Sequence, residues 1–201
     1  MEPTPNARTV ESYEDIAVDY ARETSGQGVL AGAVTHLAEA VPAGQVLEIG
    51  SGPGWDADRL EDAGLRVRRT DLTQAFIDLQ RARGKEVDRL DVIYDELGGP
   101  YDAVLMLHVL QHVEPKDLAP VLGKVADALR PGGQYLVSVP RGEGSGWEVG
   151  ESGRSYYRAL RTEDELLDAL RDAGLAPVWT DRSPEDGGWL VVMARRGVAG
   201  R

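Results

Sequence analysis

Apolar and polar positions along the chain alternate between a helical period and a strand period. Tyr13, Ile16, Ala17 and Tyr20 recur at helical spacing with Glu14, Asp15 and Asp19 on the other side, which predicts a helix after a loose arm at residues 1–10. A second helical stretch runs from Val29 to Ala40 and is closed by Pro42 and Gly44. Gln45 to Ile49 is a short apolar run bounded by glycine, the mark of a buried strand. After it come a glycine loop and a helix from about Asp56 to Ala63, with Gly64 placed as its C-terminal cap.

The same alternation continues. Leu65 to Thr70 reads as a second strand ending at Asp71, and Thr73 is placed to cap a helix reaching Arg83. Val87 to Leu90 is a short third strand ending at Asp91, and Tyr101 to Leu107 is a fourth. A helix from Asp117 sets Pro120 in its first turn, where a missing N–H costs little. Its apolar face is Leu118, Val121, Leu122, Val125 and Leu129; Pro131-Gly132-Gly133 ends it, and Gln134 to Val139 is strand five. Thr162 and Glu165 have capping-box spacing ahead of Leu166, Leu167 and Leu170, and Gly174 stops that helix. Ala176 to Asp181 and Gly188 to Ala194 form a closing hairpin through Ser183-Pro184-Glu185-Asp186-Gly187, with a frayed tail from Arg195.

Strands alternating with helices require an α/β fold, a mostly parallel sheet with helices on both faces. The closing pair has no helix between its members, so one of them runs antiparallel. Length adds that 201 residues suit one domain with a sizeable core. The ordinary apolar share of 42% excludes disordered and fibrous classes. Cysteine is absent, which removes disulfides, thiolate metal sites and a cysteine nucleophile, and no metal-ligand set stands out. No run is long enough to span a membrane and the N-terminus lacks a signal-peptide pattern, so the expected setting is cytoplasmic with no membrane partner. The net charge of -12 argues against a nucleic-acid partner: the best basic stretches are Arg66-Val67-Arg68-Arg69 and Arg154 to Arg161, and the first runs into a strand that would split its charges between two faces. Oligomeric state is not legible.

Candidate chemistry centres on Glu48-Ile49-Gly50-Ser51-Gly52-Pro53-Gly54-Trp55. Glycines directly after a strand let backbone N–H groups and a helix N-terminus approach a ligand closely. Gly50 and Gly52 fit a dinucleotide fingerprint, but the third glycine arrives one residue early, at Gly54, and no Gly-Lys-Ser/Thr follows for a P-loop. The acids Glu48, Asp71 and Asp91 all fall at strand carboxyl ends, where open α/β sheets bind ligands.

The order of motifs resembles the class I S-adenosylmethionine-dependent methyltransferases, of the small bacterial type related to the ubiquinone and menaquinone methyltransferases. The resemblance rests on Glu48 with Gly50, Gly52 and Gly54, on Asp71, on Asp91, on Tyr101-Asp102-Ala103-Val104 with Leu110-Gln111-His112-Val113, and on Leu129-Arg130-Pro131-Gly132-Gly133. It implies a single Rossmann-like methyltransferase domain over 1–201 with a seven-stranded sheet, an N-terminal helical lid at 1–40 and a cofactor-binding core at 45–194. It implies S-adenosylmethionine as methyl donor and S-adenosylhomocysteine as product.

Carried onto this chain, the resemblance sends Glu48 to the cofactor's amino group through water and lets the backbone of Gly50, Ser51 and Gly52 pass beside its methionine part. Asp71 would accept from the ribose hydroxyls, Leu72 would pack on the adenine, and Asp91, with Val92 adjacent, would accept from its exocyclic amine. Leu107 and His108 would line the methionine side, and Tyr13 and Tyr20 would cover the cofactor. Trp55 stands where a small residue is common and would crowd the methionine end.

Methyl transfer by in-line displacement needs alignment and water exclusion, and a base only where the acceptor keeps its proton. His108 and His112 are the candidate bases, on one face if their segment is helical. Residues 141–160 are the expected acceptor loop, with Trp147, Arg154, Tyr156 and Tyr157 as contacts. A small-molecule acceptor is the leading expectation; a tRNA-modifying methyltransferase and a non-catalytic cofactor-binding module are the alternatives.

Overall fold

The computed structural model describes residues 4–25, 30–181 and 188–198. A central sheet holds seven strands: β1 (Gln45–Ile49), β2 (Arg66–Asp71), β3 (Val87–Arg89), β4 (Tyr101–Met106), β5 (Leu129–Pro140), β8 (Leu175–Asp181) and β9 (Trp189–Arg196). Their spatial order is β3-β2-β1-β4-β5-β9-β8. β9 alone runs against its neighbours β5 and β8, so the expected antiparallel member is the last strand. The loop proposed to join it to β8, Ser183 to Gly187, lies outside the described residues, as do Met1 to Pro3, Val29 and the last three residues.

Two apolar layers hold the sheet. Leu47, Ile49, Val104 and Val137 face α5 (Leu118–Ala128) and α6 (Glu163–Asp172) through Val121, Leu122, Val125, Leu166 and Leu170. Val46, Ala103, Leu105 and Leu136 face α2 (Ala31–Ala40) and Leu60 of α3 (Trp55–Asp62). Neighbouring residues of each strand thus bury opposite faces, as a sheet covered on both sides demands. Strand order reverses between β1 and β4, and the crevice that ligands use in such sheets opens there.

Several elements depart from the pattern reading. Residues 4–10 are not a loose arm, because α1 spans Pro5–Glu23. Thr4 caps it by accepting from the Ala7 amide at 3.2 Å, and Pro5 takes the first turn. Residues 145–159 are not an unstructured loop: β6 (Ser145–Val149) and β7 (Ser155–Ala159) form a separate hairpin. Strand five begins at Leu129, where Leu129 pairs with Tyr101 before the Pro131-Gly132-Gly133 bulge, so the preceding helix ends at Ala128.

Thr73 holds the N-cap position of α4 (Gln74–Ala82), but its side chain makes no capping bond. Glu14 of α1 supplies the cap instead, accepting from the Gln74 amide at 2.6 Å and the Ala75 amide at 2.8 Å. The capping box of Thr162 and Glu165 is present as expected.

Candidate functional site

The glycine loop is built on a buried polar network under it. Gly50, Gly52 and Gly54 all have positive φ, at 70°, 52° and 87°. A Cβ on Gly50 would meet Val109 at 2.3 Å and one on Gly54 would meet Gln80 at 2.4 Å, so the loop has room for glycine alone at both. At Gly52 a Cβ would meet nothing within 4 Å: that position opens on a cavity. Ser51 donates its amide to Thr70 at 2.8 Å, and Gln80 holds Ser51 Oγ at 2.7 Å and the Gly52 carbonyl at 2.8 Å.

Arg69 lies beneath, 2% exposed, bonded to Gln80, Asp58 and Glu61. Arg68, one residue earlier, points to the other face and to Asp88 and Tyr101. The basic run is therefore split by strand alternation, with Arg69 bracing the loop.

The cavity encloses about 1060 Å³ of empty space, open mouth included. Its floor is the carboxyl ends of β1, β2 and β4. Asp71 is 6% exposed; its Oδ2 accepts from the Gly52 amide at 2.7 Å and its Oδ1 from the Thr73 amide at 2.8 Å. Each oxygen keeps a further lone pair. Burial raises its pKa, and the N–H groups of Thr73 and Gly52 hold that rise back.

Asp91 lies two residues past the end of β3, where its Oδ1 turns the chain by accepting from Ile93 at 2.9 Å. Leu72 and Val92 border the same end of the cavity, and Leu107 with His108 borders the β4 end. Glu48 and Gly54 do not border it. Glu48 stands behind the loop, 4% exposed, with Oε2 unpartnered; burial and then the nearby Asp56 push its pKa well up.

α1 roofs the cavity. Tyr13 and Tyr20 pack edge to face at 6.2 Å and both lean on Phe76 of α4. Trp55 does not crowd inward alone: its indole N–H donates to Thr24 Oγ at 3.2 Å, and the Arg83 guanidinium stacks on its ring at 4.4 Å. It ties the end of α1 to the start of α3.

His108 and His112 do not share a helix face. His108 sits in a bend with φ 57°, its Nε2 buried and unpartnered and its ring 4.0 Å from that of Trp189. His112 ends a short 3-10 turn at Leu110–His112. Its Nδ1 lies 2.7 Å from the Tyr157 carbonyl, which can only accept, so Nδ1 carries the proton. Nε2 then accepts, facing the Tyr13 hydroxyl at 3.2 Å and Gln111 at 3.1 Å. Burial lowers both histidines to a pKa of about 4, with Arg158 and, for His108, His112 adding to it. Both are neutral at pH 7.

None of Trp147, Arg154, Tyr156 and Tyr157 borders the cavity. Trp147 lies under the Arg8 guanidinium at 4.3 Å, and Arg154 pairs with Asp15 at 2.9 Å. The Tyr156 ring packs on Tyr13 at 5.0 Å, and Tyr157 donates its amide to Thr9 at 3.0 Å. The hairpin thus holds α1 in place from behind. In its stead the first turns of α1 bring Asn6, Thr9 and Val10 to the cavity, along with Asp56 from α3. Thr4-Pro5, a cap followed by proline, was the sequence signal that α1 starts early enough to do so.

Comparison with known proteins follows the geometry. The profile of a methyltransferase domain family matches residues 47–135. A protein of Mycolicibacterium smegmatis, described as a "Probable S-adenosylmethionine-dependent methyltransferase", is 36% identical over 108 residues, which are 52% of this chain and 41% of that one. A "Ubiquinone biosynthesis O-methyltransferase" of Xanthomonas campestris pv. campestris is 26% identical over 129 residues, 60% of this chain and 53% of its own. The chain spans about half the length of these curated relatives. Among solved structures, a Burkholderia thailandensis 1,6-didemethyltoxoflavin-N1-methyltransferase with bound 1,6-didemethyltoxoflavin and S-adenosylhomocysteine superposes with a TM-score of 0.76 at 24% identity, covering 98% of this chain and 92% of that one.

Proposed function

We propose that this chain, a class I S-adenosylmethionine-dependent methyltransferase in fold and in its matched domain, transfers a methyl group to a small-molecule acceptor. The observation that carries the reading is the bond from the Gly52 amide to Asp71 Oδ2, which joins a glycine-rich loop and a strand-end carboxylate on one cavity. The residues present fit S-adenosylmethionine. Gly52 leaves space that a Cβ would fill, and the backbone of Gly50 and Ser51 runs beside that space. Asp71 would use its remaining lone pairs for the two ribose hydroxyls, and Asp91 would take the adenine amine between Leu72 and Val92.

When bound, that group supplies a methyl on a positively charged sulfur, ready for displacement by a nucleophile. The chain's own task is then orientation, dryness and one proton. Leu107 and His108 would bound the methionine side, and Tyr13, Tyr20 and Phe76 would close the roof against water. His108, neutral and unpartnered at its buried Nε2, would be the group that receives the acceptor's proton. His112 is held as the Nδ1–H form by Tyr157, with its Nε2 lone pair turned to Tyr13.

The ubiquinone-biosynthesis relative and the solved neighbour named above, whose names refer to small compounds, support a small acceptor, and a cavity roofed by a helix suits one. No Lys or Arg borders the cavity among the described residues, which disfavours RNA. No helix among the described residues is long and apolar enough to cross a membrane. A cytoplasmic setting remains part of the proposal.

Calorimetry with S-adenosylmethionine, S-adenosylhomocysteine and NAD tests the reading. Binding of the first two and not of NAD is expected; the reverse would overturn it. Incubation with methyl-labelled donor and fractionated metabolite pools then identifies the acceptor.

A further inference from the structure

Resting on that cofactor reading, we propose that Asp56 is the carboxylate that takes the primary ammonium of the ligand's amino-acid part, and that Glu48 is a backing residue which never touches it. Glu48 is the penultimate residue of β1 and does not border the cavity, so its own buried, unpartnered Oε2 has no ligand space beside it to serve. Asp56 stands in the first turn of α3 and borders the cavity beside Gly52, Pro53 and Trp55. Its Oδ1 is buried and has no hydrogen-bond partner. A buried carboxylate oxygen left without a donor costs free energy that an arriving N–H group removes.

An acid in a helix's first turn is commonly explained by the free N–H groups there. Asp58 of the same turn is accounted for by ion pairs instead, with Arg69 at 2.6 Å and Arg83 at 2.9 Å. Asp56 makes no such pair among the described residues: it borders the cavity, with Arg59, Glu48 and the Tyr20 phenol close enough to feel its charge. Burial raises its pKa against the pull of Arg59, and Tyr20 is raised in turn by burial and by Asp56. All three acids on the cavity wall, Asp56, Asp71 and Asp91, face space bordered by no Lys or Arg among the described residues. Two of them fall where a ribose and a base would lie, which leaves Asp56 for the one cationic nitrogen. The same charge pattern favours a ligand carrying net positive charge over its neutral demethylated form.

Binding to the whole protein separates the roles. The probes are S-adenosylmethionine, S-adenosylhomocysteine and 5′-methylthioadenosine, which keeps the adenosyl thioether and lacks the ammonium. Asp56→Asn is expected to weaken the first two by about tenfold or more and leave the third unchanged, while Glu48→Gln leaves all three within about twofold. Asp56→Ser, checked for an unchanged melting temperature, should repeat the Asn result. An equal loss for all three probes would make Asp56 a loop-shaping residue and overturn the proposal. So would an ammonium-specific loss in Glu48→Gln, or none in Asp56→Asn. A wild-type protein that binds none of the three overturns the cofactor reading itself, and this inference with it.

Discussion

Arg69 on β2 and Gln80 on α4 meet at 3.0 Å beneath the glycine loop, and between them they hold Ser51, Gly52 and Gly54 from below. The loop is thus fixed by side chains that never reach the ligand space. Removing the guanidinium leaves Asp58 and Glu61 with only the outer cations Arg83 and Lys85, and Gln80 without its anchor. Arg69→Met is expected to cost about 3–5 kcal/mol of stability, with ligand affinity falling alongside. Arg69→Lys should rescue little, since one compact ammonium cannot span the four acceptors, Glu61, Gly54, Gln80 and Asp58, that the planar guanidinium reaches. Urea denaturation of both variants measures it, and a loss below about 1 kcal/mol would contradict the bracing role.

The loop's glycines should separate by consequence. Gly54→Ala drives a methyl into Gln80 and Arg69 and should destabilise the fold by more than about 2 kcal/mol. Gly52→Ala meets no atom, so it should cost only the roughly 1–2 kcal/mol of a left-handed alanine while abolishing cofactor binding, because the methyl stands in ligand space. Melting temperature and calorimetry on the pair give the answer; equal binding in wild type and Gly52→Ala would refute the cradle.

Asp71 has two tasks at once. Asp71→Asn keeps the shape but turns one acceptor into a donor that faces a backbone N–H, at Gly52 or at Thr73. Cofactor affinity should fall by about 1–3 kcal/mol, or roughly 5- to 150-fold. An affinity within twofold of wild type would rule out the ribose role.

Acid sensitivity follows from the histidines. His108 and His112 titrate near 4 in the folded chain, against about 6.5 when unfolded. The unfolded state therefore takes protons first, so this stability is complete above pH ~6.5 and drains away as pH falls from there toward 4. The raised carboxyls of Glu48, Asp56 and Asp71 act in the opposite direction, so a variant must isolate the effect. His112→Gln should narrow the stability gap between pH 7.5 and pH 4.5 by about 2 kcal/mol. Urea melts at both pH values test this, and an unchanged gap would show that His112 is not buried neutral.

The roof should loosen from one residue. Glu14→Ala removes the cap that α1 lends to α4. The expected loss is about 0.5–2 kcal/mol, with faster amide exchange in α1 and at Gln74 and Ala75. Exchange that speeds up evenly over the whole chain would instead mean global destabilisation without a latch.

Much of this architecture is written in local pattern. β1 coincides with its expected span because glycine and an acid bound a run of β-formers, and the box of Thr162 and Glu165 is a self-contained device. The strand-end acids were legible because strand ends are. What escaped was non-local. The hairpin at 145–159 is glycine-rich and has a fully exposed first strand, so no alternation marks it. The cap on α4 comes from sixty residues upstream, which no window over Thr73 contains. The four expected acceptor contacts, Trp147 to Tyr157, carried the right chemistry but turn toward α1. Asp56 was hidden because an acid at a helix start has an ordinary explanation in sequence.

β9 enters the sheet against the direction of its neighbours, so its first residue arrives where the others deliver their last. Trp189 pairs with Pro140 and lays its ring beside His108. That ring is carried by a strand wedged between β5 and β8, and it backs His108 without bordering the cavity itself. Losing the register of β9 would take that ring away from His108 and leave the glycine loop untouched, so the seating of this one strand sets how well the histidine is shielded from water.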